Sequence, residues 1–205
     1  MANEYLTRTP TSSGNRKQWT WSAWIKRNNI QRESYFSAGN GTNNSFGFDY
    51  TSSSPWIYDY SNGFDWQLKA NKVLRDVGNF FHYQLTYDTT EGTSGDRVNI
   101  YINGAKISSF STATYPSQNF EGYVNSLVKH NLGAYITPNL YSDAEFTDIF
   151  FVDGQALGPD VFGFYKDGDG YMSSGTVKAT DFRPGQWMPH APSKIKKDIN
   201  RRGGF

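Results

Sequence analysis

FHYQLTYDTTEGTSGDRVNIYINGAKI, Phe81 to Ile107, reads as a strand, a polar loop, a second strand, an Asn-Gly turn and the start of a third strand. Phe81, Tyr83, Leu85 and Tyr87 recur at period two, as do Val98, Ile100 and Ile102. That alternation is the pattern of strands with one buried face. Asn103-Gly104 follows the second run, and such a pair favours a type I′ hairpin because both central residues must take positive φ. The stretch is therefore an antiparallel meander.

The same grammar extends in both directions. Upstream, Trp19, Trp21, Ala23 and Ile25 share one face of WTWSAWIKR, with Thr20, Ser22, Trp24 and Lys26 on the other. Phe46, Phe48 and Tyr50 align in SFGFDY, Trp56, Tyr58 and Tyr60 in PWIYDY, and Phe64, Trp66, Leu68 and Ala70 in FDWQLKA. Downstream, EFTDIFFVDG is apolar on both faces at Ile149, Phe150 and Phe151, as a central strand would be. Gly39-Asn40-Gly41, Ser54-Pro55, Asn62-Gly63, Glu91-Gly92 and Ser94-Gly95 punctuate the runs as turns. No segment holds a 3.6-residue period over three turns. The expectation is an all-β antiparallel sandwich or jelly roll over residues 1–165, with an N-terminal lead-in.

Composition agrees. Aromatic residues make up 17% of the 205 and there are 20 glycines, which suits twisted strands and tight turns. The formal charge of +1 argues against nucleic-acid binding as the main business, which usually needs a basic face. With no cysteine there is neither a disulfide framework nor a thiolate metal site. The start, MANEYLTRTPTSSG, has no apolar core of a signal peptide, and no run is long enough to insert in a membrane as a helix. From Lys166 onward the chain is rich in Gly, Pro and charge. Residues 166–205 read as an extended basic C-terminal arm. Between Lys194 and Arg202, the basic Lys194, Lys196, Lys197, Arg201 and Arg202 stand against the single acid Asp198, and Trp187, Ile195 and Ile199 are the arm's apolar anchors. Such an arm suits docking onto an acidic neighbouring subunit, and the plainer reading is a solvated tail.

WTWSAWIKR, FHYQLTYD, RVNIYINGAKISS and EFTDIFFVDGQAL, in that order, resemble the laminin-G-like, concanavalin-A-like jelly-roll domains. The matching motifs are Trp21 to Lys26, Phe81 to Asp88, Tyr101 to Gly104 and Asp148 to Leu157, and the likeness spans roughly residues 15 to 163. A narrower resemblance is to virion structural proteins of marine and cyanobacterial bacteriophages. It rests on YLTRTPTSSGNRKQWTWSAWIKR and FVDGQALGPDVFG. It implies a protein made in the host cytoplasm and displayed on the virion, on a tail fibre or decorating the capsid. Its partners would be capsid or tail subunits and further copies of itself, and its sandwich would meet a host surface glycan.

Few residues carry candidate chemistry against this background. Sandwich glucanases place Glu-x-Asp-x-x-Glu on one strand, so that alternation aims the carboxylates into one cleft. Glu145 and Asp148 have the wrong spacing and lack the third carboxylate, and His82, His130 and His190 are scattered, so no catalytic residue is expected. Asp167 and Asp169 suggest Ca²⁺, but Tyr171 and Lys178 stand where an EF-hand has ligands, and a tight turn is the plainer reading. Relatives of the family hold calcium at loop rims, which would implicate Asp88, Glu91 and Asp96. Asp88 is equally suited to bond the amides of the turn it starts. Finally, Trp56, Tyr58, Tyr60, Trp66 and Tyr141 lie among Asn40, Asn43, Asn44 and Asn62. Sugar rings stack on exposed aromatic faces while amides bond their hydroxyls, so this set is the candidate glycan site. The alternative is that these aromatics fill the core.

Overall fold

A computed structural model of the chain describes residues 4–41, 44–51, 54–165 and 186–201. The strands are β1 (Leu6–Arg8), β2 (Gln18–Arg27), β3 (Glu33–Gly41), β4 (Asn44–Thr51), β5 (Ser54–Ser61), β6 (Phe64–Ala70) and β7 (Phe80–Asp88). They continue as β8 (Val98–Ile102), β9 (Ala105–Lys106), β10 (Phe110–Thr114), β11 (Lys129–Leu132), β12 (Ala144–Asp153), β13 (Gly163–Tyr165) and β14 (Trp187–Pro189), before one helix, α1 (Pro192–Arg201). Antiparallel pairing builds a seven-stranded sheet, β1-β11-β3-β4-β5-β6-β10, and a five-stranded sheet, β12-β2-β7-β8-β9. The expected sandwich is the observed one.

The core lies between the two sheets. Trp19, Trp21, Ala23 and Ile25 of β2 and Phe81, Tyr83, Leu85 and Tyr87 of β7 meet Phe46, Ile57, Trp66 and Leu68 of the other sheet. Each set occupies alternate positions, so the period read from the sequence is that of facing the inter-sheet core; the single buried face expected of β7 is corrected, because the intervening residues of β2 and β7 are buried as well. The opening meander behaves as its turn chemistry requires. Asn103 and Gly104 take φ of 49° and 75°. Asp88 accepts from the Thr90 amide at 3.0 Å, which starts the turn after β7.

Three elements depart from the sequence reading. First, β12 is the edge of its sheet, not a central strand. Thr147 pairs with Trp24 but Phe150 with Ser22, so β12 carries an extra residue. Asp148 sits at this bulge with φ of 48°. A bulge reverses which side chains face inward, so a run apolar on both faces is reconciled with an edge. Phe146 packs against Tyr35 inside, while Phe150 packs outward against Phe162.

Second, β6 is also bulged. Asp59 pairs with Trp66 but Tyr60 with Phe64, which leaves Asp65 as the extra residue. Phe64 therefore leaves the face it was expected to share with Trp66.

Third, the part of the C-terminal arm that is described is not extended. β14 pairs with β13, and α1 lays Ile195 and Ile199 against Val152, Leu157, Val161 and Phe162. Ile195 and Ile199 are four apart, the spacing of one helical stripe, and Pro192 opens the helix. A period covering only two positions is too short to stand out in the sequence. Trp187 is buried, stacked on His82 at 5.9 Å, and a Cβ on Gly104 would lie 2.3 Å from its ring. Residues 187–201 thus cover the outer face of the five-stranded sheet.

Candidate functional site

The outer face of the five-stranded sheet is polar, and the chain uses that polarity to hold its own covering segment. Gln84 Nε2 and Thr86 Oγ1 donate to the Leu157 carbonyl at 2.7 and 3.0 Å, and the Leu157 amide donates to Thr20 Oγ1 at 2.8 Å. His82 hydrogen-bonds Ser22 at 2.8 Å beneath Trp187 and is buried, which pulls its imidazole down to about 3. His82 is a structural residue in a sealed layer.

The outer face of the seven-stranded sheet is different. In an antiparallel pair, partners in register share a face. Asp49, Trp56 and Lys69 form one row across β4, β5 and β6. Gly47, Tyr58 and Gln67 form the next, and Ser45, Tyr60 and Phe64 the third. All three rows lie on the side opposite Phe46, Ile57 and Leu68. The aromatic side chains make a continuous but uneven platform, with ring centroids 4.6 Å apart and planes at 41° for Trp56–Tyr58, 5.6 Å and 56° for Trp56–Phe64, and 5.2 Å and 83° for Tyr60–Phe64. Gly47 is required here. A Cβ at that position would lie 2.2 Å from the Tyr58 ring, so only glycine lets the ring lie flat on β4.

The platform is walled and wired. Tyr135, Ile136 and Leu140, from the segment between β11 and β12, pack over Tyr58. That segment is held by Ser37 Oγ donating to the Ala134 carbonyl at 2.9 Å and by Tyr135 Oη sharing a 2.7 Å hydrogen bond with Ser45. Tyr58 Oη and Arg32 Nη2 both donate to Asp49 Oδ2, each at 3.0 Å. Burial pushes the Asp49 carboxyl above its ordinary range, against the pull of Arg32. Trp56 Nε1 donates to Gln67 Oε1 at 3.2 Å, which fixes the indole plane. Beyond the wall the platform is open: Trp56 and Tyr60 are half-buried, and Phe64 is 44% exposed.

The structure sorts the expected glycan residues. Trp56, Tyr58 and Tyr60 come together on one outer sheet face, as alternate residues of β5. Tyr58 is buried in a cluster with Tyr135 and Ile136 and its hydroxyl is spent on Asp49, so it supports the face and is not itself a glycan contact. Trp66 is fully buried, packed on Phe46 and Tyr87, so it is core and not a glycan contact. The bulge at Asp65 is the reason: it leaves Trp66 facing inward and turns Phe64 out. Tyr141 packs on Tyr5 at 6.0 Å, away from the platform. Asn62, with φ of 58°, and Asn40 are exposed at the Tyr60 end of the sheet. Asn43 lies outside the described residues. Arg32, Asp49, Phe64, Gln67 and Lys69 were not legible as site residues, because their membership depends on register and on the bulge.

The other expected sites are not assembled. Asp88 spends its oxygens on Thr90 and on Gln18 Nε2, the latter at 2.7 Å. Glu91 is exposed, and Asp96 is 3.6 Å from Lys106. Among the described residues no three acids or histidines gather as a metal site, and Asp167 and Asp169 lie outside them. Glu145 forms an ion pair with Lys26 at 2.6 Å. Of the expected subunit anchors, Trp187 and Ile195 are buried against the protein's own body. Lys194 pairs with Asp198 at 2.7 Å, Lys196, Lys197 and Arg201 remain exposed, and Arg202 is outside the described residues.

Comparison with known proteins places this geometry. No curated protein matches the sequence. Among solved structures, a native heptameric SAP-like pentraxin from Limulus polyphemus superposes with a TM-score of 0.52 at 14% identity, covering 75% of this chain and 70% of the pentraxin. The CBM40 of the Ruminococcus gnavus IT-sialidase, solved bound to α2,3 sialyllactose, gives 0.50 at 16% identity, covering 76% of this chain and 94% of the module. Likenesses at this identity show a shared fold. The model of the Concanavalin A-like lectin/glucanases superfamily matches residues 2–143, most of the sandwich, and the chain belongs to that superfamily.

Proposed function

We propose that this chain is a non-enzymatic glycan-binding domain displayed on a bacteriophage particle, on the tail or the capsid, where it meets host surface sugars. The observation that carries the reading is the Trp56–Tyr60–Phe64 platform. Aromatic rings exposed on a sheet face have no role in the core, yet they are set in register, oriented by hydrogen bonds and floored by Gly47. A pyranose ring stacks on one exposed aromatic face with amides and hydroxyls at its rim, and the half-exposed Phe64 ring beside Trp56, Tyr60 and Gln67 offers such a face. The virion setting is supported by the sequence likeness of residues 5–27 and 151–163 to phage structural proteins. The exposed Lys196, Lys197 and Arg201 on α1 are the groups left to contact an acidic capsid or tail subunit, or another copy in a homo-oligomer.

A glycan array tests the reading directly. The wild type binds a subset of glycans, and Trp56→Ala and Phe64→Ala each weaken binding at least about tenfold, or ~1.4 kcal/mol. Trp66→Phe, a change in the core, leaves the specificity pattern intact. Absence of glycan binding in the wild type, or binding indifferent to Trp56 and Phe64, sinks the proposal.

A further inference from the structure

We infer that the platform takes an acidic sugar, bearing a carboxylate or a sulfate, in preference to a neutral one; the inference rests on the glycan reading above and names its substrate class. Two cations flank the same indole. Arg32 Cζ lies 5.4 Å and Lys69 Nζ 5.9 Å from the Trp56 ring centroid. Lys69 faces this site by register, since it is the cross-strand partner of Trp56. It makes no ion pair with a carboxylate among the described residues. Arg32 has one carboxylate partner, the fully buried Asp49, which it shares with the Tyr58 hydroxyl. The Arg32 side chain stays 43% exposed, with donors beyond the one given to Asp49.

The acids at this face offset only part of that charge. Asp49 pairs with Arg32 from beneath the surface, Asp65 lies beyond Phe64 with the Ser61 hydroxyl 2.7 Å from each of its oxygens, and Lys69 is left without a carboxylate partner among the described residues. The accessible charge around Trp56 is positive. A neutral sugar can take only ordinary hydrogen bonds from the two cations beside the indole, whereas an anionic substituent gains the stronger charge-assisted ones. An acidic sugar divides its two demands across the platform. Its ring lies on Phe64, whose centroid is one ring-width, 5.6 Å, from Trp56, and its anionic substituent reaches Arg32 and Lys69. The Gln67 side-chain amide, whose oxygen is taken by Trp56, offers N–H donors between them.

The test is calorimetric titration of the intact chain with sialyllactose, a sulfated lactose and unmodified lactose, each at low and high salt. The inference predicts that at least one acidic ligand binds about tenfold or more tightly than lactose, and that salt erodes the difference. Lys69→Gln, which removes no ion pair, brings the acidic and neutral affinities together, and Lys69→Arg restores the gap. The carboxylate and sulfate arms tell which acid is preferred. Equal binding of lactose that still depends on Phe64 overturns the acidic preference and leaves the glycan reading standing. No binding of any glycan, on these titrations and on the array, overturns both.

Discussion

Gly47 and Asp59 show how much a single position decides in this sheet. Gly47 gives up a side chain so that the Tyr58 ring can lie across β4 and reach Asp49. Gly47→Ala should cost about 1–3 kcal/mol in chemical denaturation, the usual penalty for overpacking, and should weaken glycan binding with it. Asp59 faces the opposite way, into the end of the core, where burial raises its carboxyl to about 7. Its Oδ2 accepts a 3.4 Å bond from the Tyr123 amide. The folded protein therefore holds a proton that the unfolded chain releases between about pH 4 and 7, so this group's contribution to stability falls as pH rises through that window. His82 acts with the opposite sign. Its pKa is lowered to about 3, so the unfolded chain binds the extra proton, and stability rises with pH from about 3 to 6.5. Asp59→Asn should leave the His82 slope exposed. Unfolding free energies of the variant, from urea titrations, are expected to gain on the wild type steadily from pH 4 to pH 7, by on the order of 3 kcal/mol. A constant difference across that range would contradict the assignment.

At the scale of elements, the strands whose alternation is unbroken were legible in the sequence, and bulged ones such as β6 and β12 were not. β2, β7 and β8 bury the residues that period two selects. In β6 one extra residue, Asp65, divides Phe64 from Trp66, and this is the step from core to site. In β12 the extra residue near Asp148 makes an edge strand look like a central one. A bulge is an insertion of one, which no count of apolar positions detects without the partner strand. The helix α1 escaped for a related reason. Its buried stripe is only Ile195 and Ile199, within a stretch whose charge suggests solvent. Because β14 and α1 are held by this small apolar cluster, Ile195→Asp should free residues 187–201 for limited proteolysis while the rest of the sandwich stays protected. Cleavage within β6 or β7 in the same variant would show that the segment is integral to the core.

Over the whole molecule, the two outer faces have opposite fates. The five-stranded sheet is sealed by the chain itself, through Leu157, Phe162, Trp187 and α1. The seven-stranded sheet keeps an aromatic surface half-walled and open. Composition could not tell these faces apart, since both carry aromatic and polar residues; only the path of the C-terminal segment does so. By folding back, that segment removes Trp187 and Ile195 as anchors for a neighbour, which places sugar recognition ahead of arm-mediated assembly. The most direct test is the indole N–H spectrum of the six tryptophans during titration with a glycan selected on the array. Trp19, Trp21, Trp24, Trp66 and Trp187 are buried, and Trp56 alone stands on the platform. The account predicts that the Trp56 signal moves with saturation and the other five hold still. Movement of Trp24 or Trp187 with Trp56 unchanged would put the ligand on the other sheet and contradict it.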